Sequence, residues 1–237
     1  VQYLDVAIDL GGVTAVMLPG TGSDDDYIIR AFAGPLCDTG ARIAAPPPQP
    51  DRLIDGYRSA LDDAARGGPI AVGGVSIGAA VAAAWALQHP DRAVAVLAAL
   101  PAWTGPPGEA PAAMAARHSA QQLRDDGLAA TTAQMRKSSP LWLAEELTRS
   151  WRGQWPQLPD AMEEAATYVA PTVAQLQRLA VPMGVAAATD DPIHPLEIGQ
   201  QWAIAAPHAA LRTVTLDQIG ADPTALGAAC LAALAAI

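Results

Sequence analysis

Short apolar runs alternate with longer amphipathic ones along most of the chain. "VTAVMLP" (13–19), "ARIAA" (41–45), "PIAVGGV" (69–75), "AVAVLAAL" (93–100), "PMGVAAAT" (182–189) and "LRTVTL" (211–216) are compact apolar stretches bounded by Gly, Pro or Asp. Such runs predict buried strands. "VQYLDVAIDL" predicts a further strand at the start, separated from the next by Gly11-Gly12. Between the strands lie segments with helical spacing: 27–36, 52–66, 77–89, 195–206 and 223–237. In 52–66, for example, Leu53, Ile54, Tyr57 and Leu61 fall on one helical face. Regular strand–helix alternation implies an α/β fold with a mostly parallel central sheet and helices on both faces. Residues 102–178 break the rule. They contain no strand pattern, hold four of the six tryptophans, and include two helix-like segments, "AAMAARHSAQQLRDDG" and "PLWLAEELTRSW". The expected organisation is a core of residues 1–101 and 179–237 with a helical cap, 102–178, inserted after the strand that follows residue 76. Neither an internal repeat nor a low-complexity linker is visible.

Composition narrows the partners. At 51% apolar and 16% charged residues, the chain has the balance of a globular core-former. The formal net charge of -10 and the lack of any Lys/Arg cluster argue against nucleic acid or an anionic membrane surface. The acidity reads as solubility. Cys37 and Cys230 are far apart and lack metal-type spacing, so two reduced thiols are expected. The apolar stretch 77–87 is too short to span a bilayer, and the first residues lack the pattern of a secretion signal. These features together suggest a cytoplasmic protein, and the sequence leaves a monomer and a homodimer both open.

The candidate chemistry centres on Gly74-Val75-Ser76-Ile77-Gly78. This G-x-S-x-G stands where a buried strand turns sharply into a helix. Small flanking residues let the turn project the Ser76 hydroxyl outward and aim the Ile77 amide at the reaction centre. A second oxyanion donor is expected from the glycine-rich loop "LPGTGSDDD", with the Thr21 amide favoured over that of Ser23. Asp24, Asp25 and Asp26 would oppose an oxyanion, so they are expected to cap the next helix or face solvent. No metal-binding, phosphate-loop or dinucleotide motif competes, and no cofactor is expected.

Gly20-Thr21-Gly22 after an early strand, the Gly74–Gly78 elbow and "DDPIHP" after a late strand resemble the α/β-hydrolase superfamily over essentially the full length. The helical insertion also lies where that superfamily places its cap. More narrowly, "PGTGSDDDY", "GGVSIGA" and "DDPIHPLEIG" resemble an uncharacterised actinobacterial group. The resemblance implies a Ser–His–acid site, with the acid matching Asp191. It also implies a histidine after the last strand, but the matching position reads Ala221, and no histidine exists beyond His208.

Four histidines can be weighed as the base. His89 ends the helix that begins at Ser76 and should lie about 20 Å away at 1.5 Å per residue. His208 precedes the last strand and is expected on the surface. His118 belongs to the insertion, where a helix-surface position is expected, although an insertion can fold over a site. His194 follows the same late strand as Asp191, three residues on across a proline-stiffened turn, so a carboxylate–imidazole hydrogen bond is sterically open to it. Without His194, only Asp217 and Asp222 flank the empty position, and a carboxylate is a poor base for serine. Two functions therefore stay open. One is a serine hydrolase of a carboxylic ester, thioester or lactone, using Ser76, His194, Asp191 and the amides of Ile77 and Thr21 on a small-molecule acyl substrate. The other is a hydrolase-fold binding protein or non-hydrolytic enzyme that lacks a base. Trp103, Trp142, Trp151 and Trp155 suit either a pocket for an apolar acyl group or the insertion's own core. Met114 and Met135 are expected in a core, and Glu145, Glu146, Glu163 and Glu164 on solvated helix faces.

Overall fold

The computed structural model describes residues 9–237. Most of the expected first strand therefore lies outside the described residues; Asp9 and Leu10 are not in a strand. The described strands are β1 (Thr14–Leu18), β2 (Arg42–Ala44), β3 (Ile70–Val75), β4 (Ala93–Ala99), β5 (Met183–Ala188) and β6 (Ala209–Val214). They form one sheet in the order β2-β1-β3-β4-β5-β6, and every neighbouring pair is parallel.

Side chains alternate across a strand, and here both faces are apolar because both are covered. Val16, Leu18, Val72, Val96 and Val185 point into one core. That core is closed by α2 (Leu53–Ala64), α3 (Ile77–Gln88) and α8 (Leu196–Ala205). Met17, Ala71, Leu97, Ala99 and Ala186, each one residue out of step, point into the other. It is closed by α1 (Asp25–Asp38), the short α9 (Leu216–Ala221) and α10 (Thr224–Leu234). Each fully buried aliphatic side chain contributes about 1.5–3 kcal/mol. Among the expected elements α9 is absent: its two turns are too brief for a periodic pattern to show, and a Thr215–Gln218 capping box starts it.

Between β4 and β5 run α4 (Pro111–Ser138), α5 (Leu141–Gln154), α6 (Leu158–Thr167) and α7 (Val173–Leu176). Gly127 interrupts α4 with φ 76° and ψ 170°, at the point where the first helical pattern ends. Ala120, Leu123, Trp151, Leu158 and Met162 pack into a small core of their own.

Three expectations for this region need correction. Glu164 is not on a solvated face: its carboxylate accepts from the backbone N–H groups of Leu53 (2.8 Å) and Ile54 (3.3 Å), closing the start of α2, which has no capping side chain of its own. Glu146 accepts from Arg30 (2.6 Å) and Arg149 (2.9 Å). Met114 is 52% exposed, because its position on α4 faces away from the cluster that Met135 packs against.

Candidate active site

Ser76 stands between β3 and α3 with φ 56° and ψ -115°, a conformation that only a well-determined turn holds in a non-glycine residue. Its flanks explain the sequence pattern. A Cβ on Gly78 would lie 2.7 Å from the Pro19 carbonyl oxygen, and one on Gly74 would lie 2.8 Å from the Gly78 carbonyl carbon. No larger residue fits at either place. The Ser76 amide donates to the Ala99 carbonyl (2.9 Å), which ties the turn to the end of β4. Ile77 is the first residue of α3, so its amide has no intrahelical acceptor.

The loop after β1 lies alongside. A Cβ on Gly20 would be only 3.5 Å from the Ser76 Cβ, so the backbone that leads into Thr21 passes against the elbow. Asp24 then caps α1, accepting from the Tyr27 amide at 3.1 Å, and Asp25 and Asp26 occupy the first turn. The three carboxylates thus begin a helix, where its dipole favours negative charge.

The loop after β5 supplies the other groups. Asp191 Oδ1 accepts from the amides of Ile193 (2.8 Å) and His194 (3.3 Å), a side-chain turn that brings the imidazole back over its own carboxylate. Asp191 Oδ2 is 2.7 Å from His194 Nδ1, and His194 Nε2 is 3.0 Å from Ser76 Oγ. An ionised carboxylate only accepts, so Nδ1 carries the proton and Nε2 is left to accept from the serine hydroxyl. Burial opposes ionisation of Asp191. The His194 ring and the two amides outweigh it and hold the carboxyl below its ordinary value. Its neighbour is used elsewhere: Asp190 Oδ1 accepts from the Leu216 amide (2.8 Å) at the start of α9. The adjacent aspartates therefore serve different structures.

The remaining histidines do not join this group. His89 stacks on Trp85 at the far end of α3, with ring centroids 4.7 Å apart. His118 and His208 are exposed. Ala221 is exposed at the end of α9, and Asp222 accepts from Thr224. Beside it the Trp142 indole of α5 covers Gly220, where a Cβ would fall 2.5 Å from Nε1. An indole packs against α9 where the superfamily resemblance implied an imidazole nearby.

The tryptophans divide. Trp103 is 6% exposed, and its indole donates to the Tyr168 carbonyl at 3.2 Å. Trp151 is buried in the insertion's core, and Trp155 is partly exposed. Two cavities, of about 380 and 460 Å³, run along α2 and α3 beside residues 164–178, and neither is lined by Ser76, Asp191 or His194. Among the described residues, no group of three or more His, Cys, Asp or Glu side chains is placed to hold a metal ion, and no helix is long and apolar enough to cross a membrane. Cys37 and Cys230 are free; burial pushes the Cys230 thiol up to about 12.

Sequence reasoning missed the contacts that α5 makes with the Gly22–Asp24 loop. They join residues more than 120 positions apart, and no local pattern signals them.

No protein-family model matches the chain, and no curated protein matches it by sequence. Solved structures do match in shape. An esterase from Thermogutta terrifontis superposes with a TM-score of 0.66 at 19% identity, covering 86% of this chain and 82% of the other. The enol-lactonase from Burkholderia xenovorans gives 0.63 at 19% identity, over 87% and 84%. A carboxylesterase structure from Nitrososphaera gargenis gives 0.66 at 16% identity, over 90% and 85%. At these identities the likeness establishes the fold, which is that of α/β-hydrolases.

Proposed function

We propose that this protein is a serine hydrolase that cleaves a carboxylic ester, thioester or lactone through a covalent acyl-enzyme. The observation that carries the proposal is the continuous hydrogen-bonded line Asp191–His194–Ser76, with spacings of 2.7 and 3.0 Å. His194 Nε2 takes the proton from Ser76 Oγ as that oxygen attacks the carbonyl carbon, and Asp191 stabilises the imidazolium that forms. The amides of Ile77 and Thr21 hold the developing oxyanion. The tetrahedral intermediate collapses, and the leaving oxygen or sulfur takes the proton from His194. Water, deprotonated in turn by His194, then releases the acid and restores the Ser76 hydroxyl.

Residues 102–178 serve as the cap in this proposal, over a core formed by 1–101 and 179–237. Trp151 and Met162 both face Gly22 from the insertion and are buried in its own core, so they seat the insertion on the loop after β1. The rival, a binding protein without a base, drew on the missing histidine after the last strand. A histidine within hydrogen-bond reach of Ser76 weakens its ground.

A short-chain p-nitrophenyl ester series tests the proposal, with intact-protein and peptide mass measurement during turnover. Turnover with transient acyl mass on the peptide containing Ser76 is the expected result. Substrate binding with neither turnover nor acyl mass would favour the binding protein.

A further inference from the structure

The loop that carries the second oxyanion amide is met from one side by the insertion, where α6 sets Met162 against Gly22 and α5 makes the polar contacts. Three successive loop residues are each met by a different α5 side chain. Trp151 packs against Gly22, where a Cβ would fall 2.6 Å from its indole Nε1. Gln154 Nε2 donates to the Ser23 carbonyl at 2.9 Å and to Ser150 Oγ at 2.8 Å. Arg149 grips the Asp24 carboxylate with two nitrogens, at 2.5 and 2.9 Å, and Arg30 of α1 meets Glu146 of α5 one turn away. The arginines of the charged pairs lie toward solvent, which limits what each pair is worth individually. The amide of Gln154 differs. It is 6% exposed, beside a Ser150 that is 3% exposed, and its donation satisfies a carbonyl in the loop itself.

We propose that α5 clamps the oxyanion loop and that Gln154 is a positioning residue for the Thr21 amide. The inference rests on the serine-hydrolase proposal above and adds a requirement to it. The loop's own restraint is slight: Gly22 has φ +71°, and one turn bond joins the Ser23 amide to the Gly20 carbonyl at 3.0 Å. Gly20 and Gly22 supply little stiffness on either side of Thr21. An oxyanion donor works only where it is already aimed, and displacement by about 1 Å costs on the order of a hundredfold in rate. Because α5 lies between β4 and β5 in the chain, seating the insertion on the core and preparing the oxyanion site become one event.

Gln154→Met tests this, since it keeps the length and apolar stem of the side chain and removes the amide that donates to Ser23. Arg124→Ala is the control. It breaks the exposed α4–α6 tie to Asp160 and Glu163 without touching the loop. Three quantities are read: hydrogen exchange of the peptide spanning Gly20–Ile28, kcat and KM for a p-nitrophenyl ester, and affinity for a trifluoromethyl ketone. Ser76 Oγ adds to the ketone carbon, its proton passes to His194, and the ketone oxygen becomes the oxyanion. In Gln154→Met exchange should quicken, while kcat and ketone affinity fall together by about 10- to 100-fold with KM nearly unchanged. Arg124→Ala should match wild type in all three. Unchanged exchange in Gln154→Met overturns the clamp whatever the activity does. Faster exchange with unaltered kcat and ketone affinity overturns the positioning role. A wild-type protein that neither turns over esters nor binds the ketone overturns the hydrolase proposal, and the positioning role with it, while exchange still reports on the clamp.

Discussion

The loops after β5 and β6 leave the same end of the sheet from neighbouring parallel strands, yet they differ in chemistry. The first packs an acid and a base into four residues. Asp191 holds its own loop together through two backbone amides and directs the ring of His194 at Ser76. The second runs straight into α9, started by Thr215 and by Asp190 from the adjacent loop, and ends at an exposed Ala221. An indole from α5 lies over its Gly220. A triad asks for groups within hydrogen-bond reach, not for a particular strand to carry them. A short turn braced by Pro192 and Pro195 can provide both partners when its carboxylate also organises the backbone.

Substitutions can sharpen this contrast. The largest effect is expected from the β5 loop and its target. Ser76→Ala and His194→Ala should each lower kcat for ester hydrolysis by about 10⁴- to 10⁶-fold, and the double variant should fall little further, because the two act as a unit. Additive losses in a double-mutant cycle would separate them. Asp191→Asn should cost about 10⁴-fold, since an amide cannot hold the imidazole in the same tautomer.

The same aspartate links stability to pH. Its folded-state pKa is depressed, so its ionised form stabilises the fold above the ordinary carboxylate value, and that contribution is lost as pH falls through the depressed one. Thermal melts should therefore show Asp191→Asn below wild type at neutral pH, with the gap closing at the acid end. A gap that widened in acid would contradict the assignment.

The β6 loop should respond differently. Trp142→Ala removes a half-buried indole packed on α9 and should cost about 2–4 kcal/mol in denaturant unfolding, while kcat/KM of the folded protein changes far less than in the β5-loop variants. The smallest effects are expected at the two carboxylates beside Ala221. Asp217→Asn and Asp222→Asn should leave kcat/KM within about twofold and stability within about 0.5 kcal/mol. A hundredfold loss at either would return the β6 loop to the chemistry.

Much of this was legible in the residues. Apolar runs alternating with amphipathic segments announce the parallel sheet because burial on both faces leaves few polar positions on its strands. Gly74 and Gly78 signal the elbow because no side chain fits there. Asp191 and His194 could be paired because they are close in sequence. What escaped notice depends on distant contacts. Glu164 looks like any helix-face glutamate until α2, some 110 residues earlier, is found to start without a capping side chain. Gln154 looks like an ordinary helical residue until α5 meets the Gly22–Asp24 loop. Short α9 has too few residues for periodicity and is set by its caps.

In the proposed mechanism the imidazole of the β5 loop activates the serine of the elbow. Mass-mapped labelling with a fluorophosphonate, compared in wild type, His194→Ala and His118→Ala, tests it most directly. A single adduct on Ser76 is expected in wild type and in His118→Ala, and its loss in His194→Ala. Undiminished labelling of Ser76 in His194→Ala, or its loss in His118→Ala instead, would contradict it.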